Sequence, residues 1–472
     1  MPDKRFDLLS QIGVTPAVVD ALRTFVDEGD PFELARVNAL AFAAQRGLPT
    51  HQVVEGFLHA SRAGLFDMQW NVTCPGCGGI LDEGTDLKNF AASEYPCSLC
   101  AASYEPTLDE LVEVVFSVNQ SVRRLPHHDP AGLSYWDHMR MLYFSSALEL
   151  PAGKAWDDLL PHFMLEEAPL DAGERTILSF TLPDEFLILF EPVSHTTHLL
   201  DVKGERSQQR QELTITYTHN ARTSAKHELR PGPLRLTLVN KTDRRLMPGV
   251  FRANDELHNL MVQRREFLTA KHVLSCQAFR DLYKADTLSI DQRFKISSLT
   301  VLFTDLRGST ELYERVGDLA AYDLVRHHFR VLAQVVREHD GAVVKTIGDA
   351  VMATFPSPRE GLDAALGMHR AMTALNASHD RDDLVLKIGL HVGPCLAVTL
   401  NDRLDYFGQT VNIAARVQGL AGPQSIYATD AVIEHVAAKE VLARSQIAPV
   451  SRRASLKGIR DEVVIYEILS CC

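Results

Sequence analysis

The segment from Leu299 to Phe355 constrains the fold of this chain more than any other part of the sequence. It holds an apolar run directly before Asp305 and two further apolar runs, 342–344 and 350–352, on either side of Asp349. Short apolar runs bounded by polar and turn residues predict buried β-strands. Carboxylates at the ends of strands at one sheet edge can hold hard cations, because Mg²⁺ prefers oxygen ligands. We therefore interpret this segment as a metal site.

The composition is that of a soluble globular protein. The 472 residues suffice for two to four domains, with 46% apolar and 23% charged residues. A formal net charge of -13 argues against broad binding to nucleic acid or to anionic membranes. The N-terminus lacks the apolar region of a signal peptide, and charged residues and a proline interrupt the longest apolar stretch, 177–193. We expect a cytoplasmic protein with no membrane span and no nucleic-acid partner.

Four of the eight cysteines are paired in the sequence as C-x2-C-x19-C-x2-C: Cys74, Cys77, Cys97 and Cys100. Each CxxC forms a tight turn that places two thiolates on one cation, and two such turns complete a tetrahedral site. In a cytoplasmic protein this spacing favours metal over disulfides. We predict a structural Zn²⁺; a metal-free loop and a redox-labile pair are the alternatives.

The sequence upstream of residue 297 predicts five regions of different pattern. They are a helical, winged-helix-like region with a final strand (1–72), a zinc ribbon (73–103), a mixed helical region with a helix at 108–122 (104–165), a small antiparallel β-sandwich with period-two alternation (166–252), and a signalling helix with a linker (253–296). The last region either pairs with a second copy or packs as a linker within its own chain. In residues 1–70 acidic side chains outnumber basic ones, which disfavours DNA binding.

Residues 297–472 alternate as strand, helix, strand, strand, helix, strand, with the helices at 321–339 and 359–375. This order predicts a ferredoxin-like palm with an added C-terminal unit. The fold class expected for the whole chain is therefore α+β with several domains.

Five motifs in this region occur in the order of a known family. They read FTDLRGST, VKTIGDAVMATF, IGLHVG, LDYFGQTVNIAARV and SLKGIRDEVVIYEI. Together they resemble the catalytic domain of class III nucleotidyl cyclases, the adenylate and guanylate cyclases, over about Leu299 to Ile468. The upstream half resembles the module that accompanies some soluble bacterial cyclases of this class.

The resemblance implies attack of a ribose 3′-oxygen on the α-phosphorus, with pyrophosphate as leaving group. Such a reaction depends on positioning and on stabilising charge on phosphate oxygens. By the resemblance, Asp305 and Asp349 hold two Mg²⁺ or Mn²⁺ ions per active site, and the Leu306 carbonyl adds a ligand. The turn formed by Gly308, Ser309 and Thr310 offers backbone N–H groups to phosphate oxygens.

The choice between adenine and guanine nucleotides depends on Lys345 and Asp405. The Lys/Asp combination resembles adenylate cyclases, whereas guanylate cyclases usually carry Glu and Cys there. An ammonium only donates hydrogen bonds, which suits N1 of adenine, and a carboxylate only accepts them, which suits the 6-amino group. Guanine would leave both groups mispaired. The resemblance therefore favours ATP over GTP.

Three further residues match the family. Asn412 is implied to orient the ribose, Arg416 to neutralise charge on the α-phosphate, and Lys457 to hold the triphosphate. Asn412 and Arg416 are one helical turn apart and share a face. In the family, metal carboxylates and base contacts of one site come from different chains. Their presence on one chain implies a C2 homodimer with two equivalent sites.

We expect a homodimeric adenylate cyclase that converts ATP to 3′,5′-cyclic AMP and pyrophosphate. An unidentified ligand or protein would regulate it through the upstream half. Two alternatives stay open: a guanylate cyclase, and a regulator that binds a nucleotide without catalysis. A diguanylate cyclase is disfavoured because the hairpin sequence KTIGDAVM lacks a GGDEF-type signature.

Overall fold

The structure is a computed structural model. It describes residues 3–469 except 91, 152–153, 155, 160–161, 220–223, 284–287, 289–291, 309–313, 380, 383, 401–402 and 460–461. The chain begins with four helices: α1 Lys4–Gln11, α2 Pro16–Glu28, α3 Ala39–Arg46 and α4 Thr50–Arg62. The Asp3 carboxylate caps α1 and the Asn38 side chain caps α3, since each accepts backbone N–H groups of the first turn. Phe57 of α4 lies at the centre of their core, with the rings of Phe42, Phe66 and Phe116 about 5 Å away.

Five strands follow: β1 Phe66–Thr73, β2 Ile80–Gly84, β3 Tyr95–Cys97, β4 Ala102–Tyr104 and β5 Val112–Val118. β1 is the middle strand of a sheet in the order β2–β1–β5, and β3 pairs with β4. The helix predicted at 108–122 is wrong, because β5 occupies this position with every residue buried. A strand buried on both faces is apolar throughout, so periodicity does not separate it from a buried helix.

Short helices lead to the next sheets: α5 Tyr135–His138, a π-helical turn Met139–Tyr143 and α6 Trp156–Leu159. The strands are β6 Met164–Glu167, β7 Arg175–Leu182, β8 Phe186–Glu191, β9 Thr196–Val202, β10 Gln211–Tyr217, β11 Ser224–Leu229, β12 Gly232–Asn240 and β13 Gly249–Arg252. They form two sheets, β10–β12–β7 and β11–β9–β8–β13–β6, around one apolar core. The expectation of purely antiparallel strands is wrong, since β10–β12 and β11–β9 are parallel pairs. Alternation determines which side of a strand is buried, not which strand lies beside it.

The segment before the C-terminal domain forms three short helices: α7 Asp255–Val262, α8 Ala270–Leu274 and α9 Gln277–Leu282. The Thr269 side chain caps α8 by accepting the backbone N–H of His272. The described residues of this segment form three short helices in place of one signalling helix, and pairing with a second copy stays a prediction. The longest of the three helices has eight residues, and Val273, Leu274 and Phe279 are buried within the chain's own core. The described part of this segment packs within its own chain, as the alternative of a packed linker expects.

The C-terminal domain contains one large sheet flanked by helices. Its strands are β14 Arg293–Arg307, β15 Ala342–Ile347, β16 Ala350–Phe355, β17 Val385–Leu400, β18 Arg403–Phe407, β19 Ser425–Thr429, β20 Val450–Ala454 and β21 Val463–Leu469. Its helices are α10 Asp318–Glu338, α11 Pro358–Ser378, α12 Gln409–Leu420, α13 Asp430–Ile433 and α14 Val436–Arg444. The sheet order is β15–β16–β14–β17–β19–β21–β20, and β18 pairs with β17. The predicted α+β fold of this domain is confirmed.

The two faces of this sheet have different neighbours. On one face, Leu302 and Val351 pack with α10 and α11. On the other face, Phe303 and Met352 join a core that continues through α8 and α9 into the N-terminal helices. The backbone N–H groups of Ser297 and Ser298 also donate to the Asp109 carboxylate, both at 2.9 Å. The upstream half and the C-terminal domain are thus packed against each other through a common core. No helix in the described residues has the length and apolar character needed to cross a membrane.

Candidate functional site

The two predicted metal carboxylates come together at one end of the sheet. Asp305 lies near the end of β14, and Asp349 lies in the turn between β15 and β16, where Gly348 takes the left-handed conformation at φ 63°. Burial raises the pKa of Asp305, and the charge of Asp349 raises this pKa further. The Lys387 ammonium and the Gln418 side chain act in the opposite direction. The carboxylates are therefore close enough to repel each other when both are ionised.

The donor set fits a divalent cation of the Mg²⁺ or Mn²⁺ type. Asp349 Oδ2 is buried and has no hydrogen-bond partner among the described residues, which leaves a carboxylate oxygen for an ion. Leu306 lies in β14 opposite Leu386. Gly308 follows β14 with a positive φ of 69°. Ser309 and Thr310, the other residues of the predicted phosphate-binding turn, lie outside the described residues.

The structure brings the predicted base-recognition residues into contact. Lys345 Nζ donates to Asp405 Oδ2 at 2.6 Å, across sixty residues of sequence. Lys345 follows a β-bulge in β15, in which Val344 is the extra residue, so that Lys345 lies opposite Met352. Asp405 Oδ1 accepts the backbone N–H of Tyr406 at 2.8 Å, which fixes the carboxylate. The Lys345 side chain is 42% exposed and that of Asp405 12%, so the pair can meet a ligand.

The predicted phosphate-binding residues lie around α12. Arg416 packs against the turn that contains Lys457, since a Cβ on Gly458 would lie 3.5 Å from an Arg416 guanidinium nitrogen. Leu456 anchors this turn in a small apolar cluster with residues of α12. Lys457 is exposed, and so is Asn412, one helical turn before Arg416. The exposed Lys457 and the half-buried Arg416 are therefore both accessible to an anionic ligand.

Three residues near the carboxylates were not predicted from the sequence. Lys387 lies opposite Asp305 in the β14–β17 pair, and Gln418 of α12 lies near the Asp305 carboxyl and acts to lower its pKa. His328 of α10 is fully buried near Asp349. Burial lowers the pKa of His328 to about 4, although the negative charge of Asp349 acts to raise it. Sheet register and helix packing bring these residues to the site, and no local sequence signal marks them.

The cysteine cluster forms as predicted. The sulfur atoms of Cys74, Cys77, Cys97 and Cys100 all lie within 4.8 Å of one another, and the pairs Cys74–Cys100 and Cys77–Cys97 are 3.6 Å apart. A disulfide requires about 2.05 Å. Tetrahedral Zn²⁺ with bonds of about 2.3 Å implies sulfur separations of about 3.8 Å. The geometry therefore fits one zinc ion with four thiolates and no open position.

Backbone and side-chain donors surround this cluster. The Gly79 N–H donates to Cys77 Sγ and the Cys100 N–H donates to Cys97 Sγ, each at 3.4 Å. The Tyr143 hydroxyl lies 3.7 Å from Cys77 Sγ. Such contacts orient thiolates and spread their negative charge, as is common around metal ligands.

Two family models match the chain, one in each half. The model described as the adenylate and guanylate cyclase catalytic domain matches residues 292–470. The C-terminal domain is therefore a class III nucleotidyl cyclase domain. The model of a family of unknown function, DUF5939, matches residues 2–281, more than half of the chain. The chain belongs to this DUF5939 family and carries the cyclase domain after it.

Curated relatives match a limited part of the chain. A putative adenylate cyclase 3 of Rhizobium meliloti is 31% identical over 137 residues, 29% of this chain and 23% of that protein. The receptor-type guanylate cyclase gcy-8 of Caenorhabditis elegans is 33% identical over 139 residues, 27% of this chain and 12% of that protein. The chain thus spans less than a quarter of either relative. The crystal structure of the adenylyl cyclase CyaB from P. aeruginosa has 23% identity and a TM-score of 0.34, and the match covers 38% of this chain and 97% of that one.

Proposed function

We propose that this protein is an adenylate cyclase that converts ATP to 3′,5′-cyclic AMP and pyrophosphate in the cytoplasm. The observation that carries the proposal is the contact between Lys345 Nζ and Asp405 Oδ2 at 2.6 Å. It places a donor-only group beside an acceptor-only group at an accessible position. Adenine presents the matching acceptor and donor, N1 and the 6-amino group, on one edge. Guanine presents O6 and N1–H there, and both protein groups would be mispaired.

The remaining residues provide for the rest of the nucleotide. Asp305, Asp349 and the Leu306 carbonyl would hold two Mg²⁺ or Mn²⁺ ions. When bound, such ions lower the pKa of the 3′-hydroxyl and offset charge on phosphate oxygens. Asn412 orients the ribose, and Arg416 stabilises charge on the α-phosphate with a permanently charged donor fork. Lys457 and the Gly308 turn bind the triphosphate.

Two copies of the chain would share each site. Lys345 and Asp349 are four residues apart on one hairpin, and each would serve a different site of the dimer. Two apolar side chains next to the site support a second copy here: Ile347 is 53% exposed and Phe407 is 67% exposed. Exposed apolar side chains that cluster beside a functional edge are typical of interaction surfaces.

The upstream half would have a regulatory role. Its cysteine cluster would hold one structural Zn²⁺ in a zinc ribbon, and the two-sheet region would be a β-sandwich. Its contacts with the cyclase domain, through a common core and through Asp109, support a control function. The signal would be a small ligand or a protein that binds this half.

The test is turnover by the purified full chain. ATP and GTP are offered separately with Mg²⁺ or Mn²⁺, and the products are separated by chromatography. We expect cyclic AMP from ATP and little product from GTP. Asp305→Asn should abolish the activity, whereas Asp323→Asn, a matched change at an exposed position on α10, should leave it unchanged. Cyclic GMP from GTP alone would favour the guanylate cyclase alternative, to which one of the relatives belongs by name. Binding of nucleotide without any product would favour a non-catalytic regulator.

A further inference from the structure

Helices α8 and α9 of the upstream half contact both strands that carry the base-recognition pair. On β15, the backbone N–H of Val343 donates to Gln277 Oε1 of α9 at 2.8 Å. Val343 is two residues before Lys345 and immediately before the bulge residue Val344. The backbone of β15 two residues before Lys345 is therefore held by a side chain of α9.

On β18, the residues on both sides of Asp405 are held by the same helices. Arg280 Nη2 donates to the Leu404 carbonyl at 2.5 Å. The Tyr406 hydroxyl donates to the Leu274 carbonyl at the end of α8 at 3.3 Å. The Arg280 guanidinium also lies 6.0 Å from the centre of the Tyr406 ring. Since the Tyr406 N–H orients the Asp405 carboxylate, these contacts reach the acceptor that would bind the 6-amino group.

The contact between α9 and the strands is not densely packed. A cavity of about 230 Å³ separates them and is lined by Phe279, Tyr283, Val344 and Arg403 among others. Arg280 Nη1 is buried and has no hydrogen-bond partner among the described residues. Beside the apolar core that they share, α9 and the strands are therefore joined by a few directional hydrogen bonds that border free space. This space leaves α9 room for a small shift relative to β15 and β18. Such a shift would change the separation of the Lys345 ammonium and the Asp405 carboxylate.

We propose that Gln277 and Arg280 are positioning residues that set the preference of the cyclase for ATP over GTP. The inference rests on the proposed function and assigns part of base selection to the upstream half. Neither residue touches the nucleotide. Both hold the backbone that carries the two base-contacting groups, so their loss should weaken discrimination between bases more than it weakens chemistry.

The experiment uses the full chain with Gln277→Met, Arg280→Met and the conservative Arg280→Lys. The matched control is Lys295→Met, which removes the ion pair of Lys295 with Glu105, another contact between the upstream half and the cyclase domain. Steady-state kinetics are measured with ATP and with GTP. We expect each methionine variant to raise KM for ATP about tenfold and to lower the ATP-to-GTP ratio of kcat/KM about fivefold or more. Arg280→Lys should restore part of this ratio, and Lys295→Met should stay within about twofold of the wild type.

The outcomes separate the two proposals. If the wild type turns over neither nucleotide, the proposed function is wrong and the inference falls with it. If the wild type is selective for ATP and the variants lose kcat equally for both nucleotides at unchanged KM, only the positioning role is overturned. Thermal unfolding of each variant identifies any that does not fold. In that event the test is made with Arg280→Lys and with Gln277→Met, which removes the partly buried hydrogen bond from Val343 and the exposed one to Asp281.

Discussion

Replacing Lys345 with methionine separates the role of this residue in stability from its role in recognition. Methionine keeps an unbranched side chain and removes the charge. In the folded chain the Lys345 side chain is 42% exposed, so water and salt screen its pair with Asp405. Exposed ion pairs contribute about 0.2–1 kcal/mol. We expect the free energy of unfolding to fall by no more than about 1 kcal/mol.

The expected effect on catalysis is larger. In the enzyme–nucleotide complex, the ammonium would donate to N1 of adenine in an enclosed site, and hydrogen bonds to charged groups contribute about 1.5–3 kcal/mol. The loss corresponds to a decrease in kcat/KM for ATP of roughly 10- to 150-fold. Both quantities are measured on one preparation, by urea denaturation and by initial rates of cyclic AMP formation.

A matched control for this experiment is Lys295→Met. Lys295 lies near the start of β14, at the opposite end of this strand from Asp305, and forms an ion pair with Glu105 at 2.7 Å. The Lys295 side chain is 58% exposed. This variant should lose a similar, small amount of stability and keep its kcat/KM within about twofold. Unchanged kcat/KM for ATP in Lys345→Met would refute base recognition by this residue. A loss of stability of about 3 kcal/mol or more would show that the pair is mainly structural.

Three further predictions concern the dimer, the cysteine cluster and the half-buried His198. Mixed Asp305→Ala and Asn412→Ala chains should recover about a quarter of wild-type activity, since about half of the dimers would be mixed with one intact site of two; no recovery in verified heterodimers would contradict shared sites. Cys97→Ser should lose bound zinc in elemental analysis and lower Tm, whereas Cys276→Ser, outside the cluster, should retain the metal. Burial lowers the pKa of His198 to about 4 from 6.5. As the pH falls, the unfolded chain therefore binds a proton at His198 before the folded chain does. The free energy of unfolding should fall as the pH drops from 6.5 to 4, and its slope with pH should be smaller in His198→Gln.

Local patterns predicted the strands around the carboxylates well. The apolar run before Asp305 lies within β14, and the runs on either side of Asp349 lie within β15 and β16. These strands are short, apolar and separated by a turn with glycine, the condition under which periodicity and turn residues agree. The shared role of Lys345 and Asp405 was expected only through the family resemblance, because nothing local connects residues sixty positions apart.

Other features depend on contacts that a single sequence does not specify. The strand Val112–Val118 was predicted as a helix because it is buried on both faces. Lys387 and Gln418 reach Asp305 only through the register of β14 with β17 and the packing of α12. The contacts of Gln277 and Arg280 join helices from one half to strands of the other. In each case the sequence indicates which residues are buried or polar, and the tertiary fold decides their partners.

The common core limits how a signal can pass from the upstream half to the site. Phe279 of α9 is 2% exposed, and Met352 and Tyr406 of the cyclase domain are 0% and 3% exposed within the same core. Complete burial of one such apolar side chain contributes about 1.5–3 kcal/mol, so separating the halves would cost several times this amount. A ligand shifts an equilibrium only by its differential affinity for the two states. A hydrogen bond such as that of Gln277 contributes about 1 kcal/mol, which is within the range of ordinary allosteric coupling. We therefore expect regulation to proceed by small shifts of α9 against β15 and β18 while the halves stay packed together.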